Sequence, residues 1–202
     1  MPVSTLIVPG LHGSGCAHWQ TWWQAVAADA QRVEQDDWDA PDLNVWSERL
    51  LQVAARQHGP VWLVAHSFGC LAAVQAISKQ RTQTRRNIAG AFLVAAADPD
   101  RFGLADMLAL DPLPVPTALV TSSNDPWLAE DKALWLARRW GSEIIPVGAA
   151  GHINAESGFG PWIEGFVLFR DFVRRTSGED VPGQSVQSAR IGEPPLFLRA
   201  VA

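Results

Sequence analysis

Three residues have the side chains, and the order along the chain, that nucleophilic acyl chemistry requires. Ser67 lies in the segment Ala-His-Ser-Phe-Gly, between a run of apolar β-formers and an Ala-rich apolar segment. Asp125 and His152 each follow a later predicted strand. A serine hydroxyl becomes an effective nucleophile when a histidine takes its proton and a carboxylate orients that histidine. The sequence therefore predicts a serine nucleophile, a histidine base and an orienting aspartate.

The segment around Ser67 has the pattern of a nucleophile elbow, in which a strand turns sharply into a helix at the serine. The small residues Ala65 and Gly69 stand two positions before and after Ser67, where strand and helix must approach closely. The usual pattern has glycine at both positions, so Ala65 makes the motif less specific. The same residues would also fit an ordinary serine N-cap on a helix that follows a buried strand.

A glycine-rich loop at residues 10–15 follows the first predicted strand and could complete the site. Acyl transfer needs two N–H donors aimed at the position where negative charge develops on oxygen. The first donor is predicted to be the backbone of Phe68, directly after the serine, and the second to be the backbone of Leu11. His12 is the alternative to Leu11, because the sequence leaves the register of the loop open.

Two carboxylates compete for the role of the orienting acid. Asp125 follows the predicted strand at residues 115–121, and Asp98 follows the preceding one at residues 88–95. Asp125 could also be a simple turn residue ahead of Pro126. Asp125 is the preferred acid, with Asp98 as the alternative.

Alternating strands and helices must position these residues. The pattern predicts an α/β fold with a mostly parallel sheet of about six strands and helices on both faces. In such a sheet the loops at the carboxyl ends of the strands open along one edge, where ligands bind. This edge would bring together the loop at residues 10–15 and the three residues Ser67, Asp125 and His152.

The sequence resembles the α/β-hydrolase superfamily, whose triad follows the order Ser, Asp, His. Further motifs resemble its compact branch, the retinoblastoma-binding-protein-9-like serine hydrolases. They are Val-Pro-Gly-Leu-His-Gly at residues 8–13, His-Trp at 18–19, His-Ser-Phe-Gly at 66–69, Gly-His-Ile-Asn at 151–154 and Ser-Gly-Phe-Gly at 157–160. The resemblance covers about residues 4–174 and implies a serine hydrolase with the α/β-hydrolase fold. It implies no particular substrate.

The segment after the predicted strand at residues 88–95 limits the range of predicted substrates. Only residues 101–114, with a short predicted helix around 104–110, could form a cap, so no large cap domain is expected. A cap this short cannot enclose a long acyl chain, which predicts an open site for short acyl esters or small amides. The candidate residues of its wall are Leu11, His12, Trp19, Phe68, Trp127 and Phe159.

Composition sets the remaining expectations. The 202 residues, of which 48% are hydrophobic and 18% charged, predict one hydrolase domain at residues 1–175 and a flexible tail at 176–202. The net charge of −5 without an extended basic cluster argues against nucleic acid as a partner. No apolar stretch approaches the ~20 residues of a membrane span, and the first residues lack a secretory signal.

The two cysteines, Cys16 and Cys70, do not make a disulfide framework, which favours a cytoplasmic protein. No metal-binding spacing occurs, so neither a metal nor another cofactor is predicted. Two other functions stay open: a protein-binding module that keeps the fold without catalysis, and acyl transfer or perhydrolysis at the same serine.

Overall fold

A computed structural model describes residues 4–80 and 87–178 of the chain. Strands and helices alternate along these residues: β1 Ser4–Val8, α1 Trp19–Val26, β2 Ala30–Arg32, α2 Leu43–Ala55, β3 Val61–Ser67, α3 Phe68–Lys79, β4 Ile88–Ala96, β5 Thr117–Thr121, α4 Glu130–Trp140, β6 Glu143–Pro146 and α5 Ile163–Thr176. Among the described helices, none has the length and apolar composition needed to span a membrane. The predicted tail lies outside the described residues from position 179 onward.

The six strands form one sheet in the order β2-β1-β3-β4-β5-β6. Every neighbouring pair is parallel, so the carboxyl ends of all strands meet at one edge. The central strand β3 ends at Ser67, with β1 on one side and β4 on the other. The predicted parallel sheet is confirmed, and the serine lies in the middle of its functional edge.

Both faces of the sheet are covered by helices, because side chains alternate along each strand. Leu63 and Ala65 of β3 join a core with α2, α3 and α4. Trp62 and Val64 of the same strand join a second core with α1 and α5. The predicted helices on both faces are confirmed.

The connection between β4 and β5 is short and has little regular structure. Its residues 97–116 are all described and contain one 3₁₀ turn, Pro99–Phe102, which Gly103 ends with a φ of 65°. The predicted helix around residues 104–110 is wrong, since this segment forms only turns. Only one turn forms, in which the N–H groups of Met107 and Leu108 both donate to the Leu104 carbonyl oxygen at 3.0 Å, and one turn without a successor does not make a helix. The expected absence of a large cap at this connection agrees with the structure.

Candidate active site

Ser67 occupies a sharp turn between β3 and α3, with φ of 53° and ψ of −125°. A non-glycine residue adopts such a positive φ only when the surrounding structure enforces it. The packing around Gly69 supplies the constraint: a Cβ there would lie 2.4 Å from the carbonyl oxygens of Val8 and Pro9. Ala65, the departure from the usual motif, is fully buried in the core. The predicted elbow is therefore present, with glycine obligatory only at its second position.

The structure brings the three predicted residues together at the edge of the sheet. The Nε2 atom of His152 lies 2.9 Å from the Ser67 Oγ atom. Its Nδ1 atom lies 3.0 Å from both carboxylate oxygens of Asp125. Because an ionised carboxylate only accepts hydrogen bonds, Nδ1 carries the proton and Nε2 presents its lone pair to the serine hydroxyl. The His152 and Asp125 side chains are only 7% and 3% exposed, which shields these hydrogen bonds from water.

Side chains from several elements hold the loop that carries His152. Five backbone groups of residues 150–153 pair with side chains. Three N–H groups donate to oxygen atoms: Ala150 to Ser122 at 3.0 Å, Gly151 to Asn124 at 2.7 Å, and His152 to Ser157 at 3.1 Å. Two carbonyls accept from ring N–H groups: His152 from His66 at 2.9 Å, and Ile153 from Trp19 at 2.8 Å. This base loop, residues 150–153, therefore has little freedom to move the imidazole.

The glycine-rich loop lies directly against the elbow. A Cβ on Gly10 would come within 2.7 Å of the Ser67 Cβ and 3.3 Å of the Phe68 nitrogen. The His12 N–H donates to the Trp38 carbonyl oxygen at 3.0 Å, whereas the Leu11 N–H donates to no group in the described part of the chain. Phe68 begins α3, where N–H groups have no partner within the helix. The N–H groups of Phe68 and Leu11 are therefore two backbone donors without an acceptor in the described part of the chain, and Leu11 lines the same cavity as Ser67.

A cavity of about 420 Å³ opens above Ser67. The predicted residues Leu11, His12 and Trp127 line it. Besides Ser67 and His152, the other side chains that line it belong to Ala17, His18, His66, Phe102, Asn154, Ala155 and Glu156. The ring of Trp127 lies 5.9 Å from that of His152, and the Arg101 guanidinium lies over the Trp127 ring, 5.3 Å from its centroid.

Comparison with known proteins assigns the chain to a family. The family described as serine hydrolase matches residues 5–171. The chain belongs to this family. A protein from Pectobacterium atrosepticum described as a YdeN-like hydrolase is 38% identical, with a TM-score of 0.81 over 86% of this chain and 92% of that one. No curated protein matches the chain.

More distant structures share the fold of this serine hydrolase. The ydeN gene product of B. subtilis is 20% identical, with a TM-score of 0.70 over 84% of this chain and 98% of that one. Est1E of Butyrivibrio proteoclasticus, solved with ferulic acid bound, is 12% identical, with a TM-score of 0.65 over 88% of this chain and 90% of that one. The predicted α/β-hydrolase fold is confirmed. The resemblance to the retinoblastoma-binding-protein-9-like branch stays a prediction.

Three predicted wall residues of the serine hydrolase do not line the cavity. Trp19 is fully buried in the core between the sheet and α5, because its position on α1 faces the sheet. Phe159 packs edge-on against Trp162, with ring centroids 5.6 Å apart. The Phe68 side chain is fully buried and packs against Phe102 and Trp46, so only its backbone reaches the site.

Sequence reasoning also missed part of the wall. Phe102 comes from the 3₁₀ turn after β4, and no motif marks it, because only the fold of this connection brings it over the cavity. Ala155 and Glu156 follow the Gly-His-Ile-Asn motif in a second short 3₁₀ turn, Ala155–Ser157. Proximity to His152 in the sequence was the one signal that could have identified them.

Two histidines beside the triad are uncharged at neutral pH. The His66 ring lies between those of His18 and His152, 4.8 Å from each. Burial, and then the neighbouring His18 and His152, lowers the pKa of His66 well below its usual value. Burial, and then the charge of Arg32, lowers the pKa of His18 from 6.5 to about 4. Neither ring therefore repels the imidazolium that would form on His152 during catalysis.

Proposed function

We propose that this serine hydrolase cleaves small ester or amide substrates through an acyl-enzyme on Ser67. His152 is the general base and Asp125 the residue that orients it. The observation that carries the proposal is the continuous hydrogen-bonded chain from Asp125 through His152 to Ser67, with distances of 3.0 and 2.9 Å.

Each residue has a defined role in the proposed reaction. The Ser67 oxygen attacks the substrate carbonyl carbon while its proton passes to the Nε2 atom of His152. Asp125 stabilises the resulting imidazolium through Nδ1–H. The negative oxygen of the tetrahedral intermediate accepts hydrogen bonds from the N–H groups of Phe68 and Leu11.

Collapse of the intermediate breaks the bond to the leaving group, which takes the proton from His152. A water molecule then attacks the acyl-enzyme by the same route, with His152 again as base, and releases the acid and free Ser67. The engaged N–H of His12 supports the assignment of Leu11 as the second donor.

The size of the cavity favours short acyl groups. The wall formed by Phe102 and Trp127 comes from short connections, and the volume is about 420 Å³. We expect kcat/KM for p-nitrophenyl esters to be highest at short acyl chains and to fall toward dodecanoyl. A steady rise from acetyl to dodecanoyl would contradict the proposed substrate range.

The decisive experiment is labelling with a fluorophosphonate probe, read by intact mass and peptide mapping. We expect a single adduct on Ser67 in the wild type, none in Ser67→Ala, and wild-type labelling in the control Ser47→Ala. Ser47 is a buried serine on α2, away from the cavity. A folded wild type without an adduct would overturn the proposal and favour a binding module.

A further inference from the structure

We propose that Gln20 is a positioning residue that holds the glycine-rich loop beside Ser67. Together with Pro9, this loop is called the oxyanion loop, residues 9–15. The inference rests on the proposed function, because it concerns the loop that carries the Leu11 N–H. Gln20 stands on the first turn of α1, next to the buried Trp19. It does not line the cavity, so its effect on the reaction must pass through the loop.

The carboxamide of Gln20 is fully buried and joins three parts of the site. Its Nε2 atom donates to the carbonyl oxygens of Val8 at 3.2 Å and Val64 at 3.0 Å. Its Oε1 atom accepts from the Ser14 hydroxyl at 2.6 Å. Val8 ends β1 immediately before the loop, Ser14 lies near the end of the loop, and Val64 belongs to β3. One side chain therefore ties both ends of the oxyanion loop to the strand that carries the nucleophile.

The part of the loop between these anchors forms a tight turn. The Gly13 N–H donates to the Gly10 carbonyl oxygen at 3.0 Å, and His12 adopts a φ of 62°. Leu11 lies within this turn, and its N–H has no partner in the described part of the chain. A free donor cannot hold itself in place, so the position of Leu11 depends on the anchors of the turn.

Other bonds keep the end of the loop attached when Gln20 is replaced. The Ser14 carbonyl oxygen accepts from the Thr21 hydroxyl at 2.9 Å and from Arg32 at 2.8 Å. These bonds link Ser14 to α1 and β2, whereas Gln20 supplies the link to β3. Loss of the carboxamide should therefore shift the loop relative to Ser67 rather than unfold it.

The test compares Gln20→Met with the matched control Gln80→Met. Gln80 is also buried, at 2% exposure, and its carboxamide bonds both backbone groups of Ile88, at the amino end of β4. Both variants should have a lower Tm than the wild type. Only Gln20→Met should lose kcat, by about 10- to 100-fold per titrated active site, with KM changed by less than about threefold.

Inhibitor binding separates positioning from general destabilisation. A trifluoromethyl ketone forms a tetrahedral adduct with Ser67 whose oxygen needs the same N–H donors. We expect its affinity for Gln20→Met to fall in parallel with kcat/KM and its affinity for Gln80→Met to be unchanged. Wild-type kcat and inhibitor affinity in Gln20→Met would overturn the proposal.

A milder pair of variants decides the question even if Gln20→Met does not fold. Ser14→Ala removes only the bond to Gln20 Oε1, and Ser47→Ala is its buried control. Ser14→Ala should lower kcat by about 3- to 10-fold, whereas Ser47→Ala should leave it unchanged. Equal kcat values in the two variants would contradict the role of Gln20.

Hydrogen exchange provides a readout that needs no substrate. Amides of residues 10–15 should exchange faster in Gln20→Met and Ser14→Ala than in the wild type, while the controls leave them unchanged. If the wild type hydrolysed no ester and took no probe, the proposed function would fail, yet the exchange rates would still decide whether Gln20 holds the loop. Unchanged exchange in both site variants would refute that role.

Discussion

The ends of β4 and β5 carry carboxylates in closely similar local settings, yet only one reaches His152. Asp98 and Asp125 each precede a proline, and the Oδ1 atom of each accepts from the backbone N–H two residues later, at 2.9 and 2.8 Å. Asp98 pairs with Lys132 of α4, whereas both oxygens of Asp125 face the Nδ1 atom of His152. The Asp98 side chain is 18% exposed and that of Asp125 only 3%.

The comparison shows that the local turn does not determine what a carboxylate does. Both side chains stabilise an Asx-type turn, and the difference comes from a partner 34 residues away for Asp98 and 27 residues away for Asp125. The partner of Asp98 is a lysine whose charge it neutralises. The partner of Asp125 is an imidazole that itself touches the nucleophile.

Removing the His152 imidazole should abolish catalysis, and with it the role that distinguishes Asp125 from Asp98. His152→Ala should lower kcat by about 10⁶, because Ser67 loses its base. Ser67→Ala should cost as much, and the double variant little more, since the two residues act as one unit. Steady-state kinetics on a short p-nitrophenyl ester measures all three. Losses that multiply in the double variant would contradict a shared mechanism.

Replacing Asp125, the carboxylate that follows β5, tests directly whether it orients His152. Asp125→Asn should lower kcat by about 10⁴, because an amide that donates to Nδ1 favours the wrong tautomer of His152. Circular dichroism checks that the variant is folded. A loss of less than tenfold would move the role of acid away from Asp125.

The substitution Trp19→Phe tests whether the alignment of His152 with Asp125 depends on the rigidity of the base loop. Trp19→Phe removes the hydrogen bond to the Ile153 carbonyl and should lower kcat by about tenfold through misalignment of His152. Trp23→Phe is the matched control, since Trp23 is buried in the same core but donates to Pro161. Equal kcat values in the two variants would show that this bond does not align the base.

Asp98, the carboxylate that follows β4, should contribute to stability rather than to catalysis. Asp98→Asn should keep kcat within about threefold of the wild type, because its partner is Lys132 and not His152. Thermal unfolding should show a lower Tm, since Lys132 loses one of its two carboxylate partners. A loss of kcat as large as that of Asp125→Asn would reverse the assignment of the two acids.

The smallest expected effect is the pH dependence of the stability that Lys132 gains from its carboxylate partners Asp98 and Asp100. Burial disfavours the charge on Lys132, but hydrogen bonds to Asp100 and Asp98 outweigh it and raise the pKa of Lys132 above 10.5. The stabilisation is thus fully present below pH 10.5 and is lost as pH rises through the raised pKa. The Tm of the wild type should exceed that of Lys132→Met below pH 10.5. This difference in Tm should shrink by about 2–4 °C when the pH is raised above the pKa of Lys132.

Lys132→Arg serves as the control for this titration, because a guanidinium stays charged throughout the range. The Tm difference between Lys132→Arg and Lys132→Met should stay constant while that of the wild type falls. A wild-type difference that is equally constant would mean that the ion pair adds no stability at this strand end.

Much of the fold and of the candidate site could be predicted because its signals are local. Apolar runs bounded by turn residues predicted strands at nearly the observed positions, and a strand followed at once by a small-residue helix predicted the elbow at Ser67. Once the sheet is parallel, Asp125 and His152 must stand at the same edge as Ser67.

Other features depend on which distant segments pack together. Trp19 has the helical spacing of a core residue, but its hydrogen bond to Ile153 spans 134 positions. Gln20 reads as an ordinary polar helix residue, although it is fully buried and bonds to β3. At the end of β4 the register jumps from Val94 to Ala96, and Ala95, left unpaired, adopts a φ of 46°.

The sequence by itself determined the order of strands and helices, the elbow and the edge at which the candidate triad assembles. Hydrophobic periodicity and turn chemistry act over a few residues, so they can be read from the sequence. The sequence preferred Asp125 over Asp98 and Leu11 over His12 but left both alternatives open. The tertiary structure decided which of the two Asp-Pro turns meets His152, which aromatic rings line the cavity and which backbone N–H stays free. These outcomes depend on packing between segments that are far apart in the chain, which local sequence patterns do not encode.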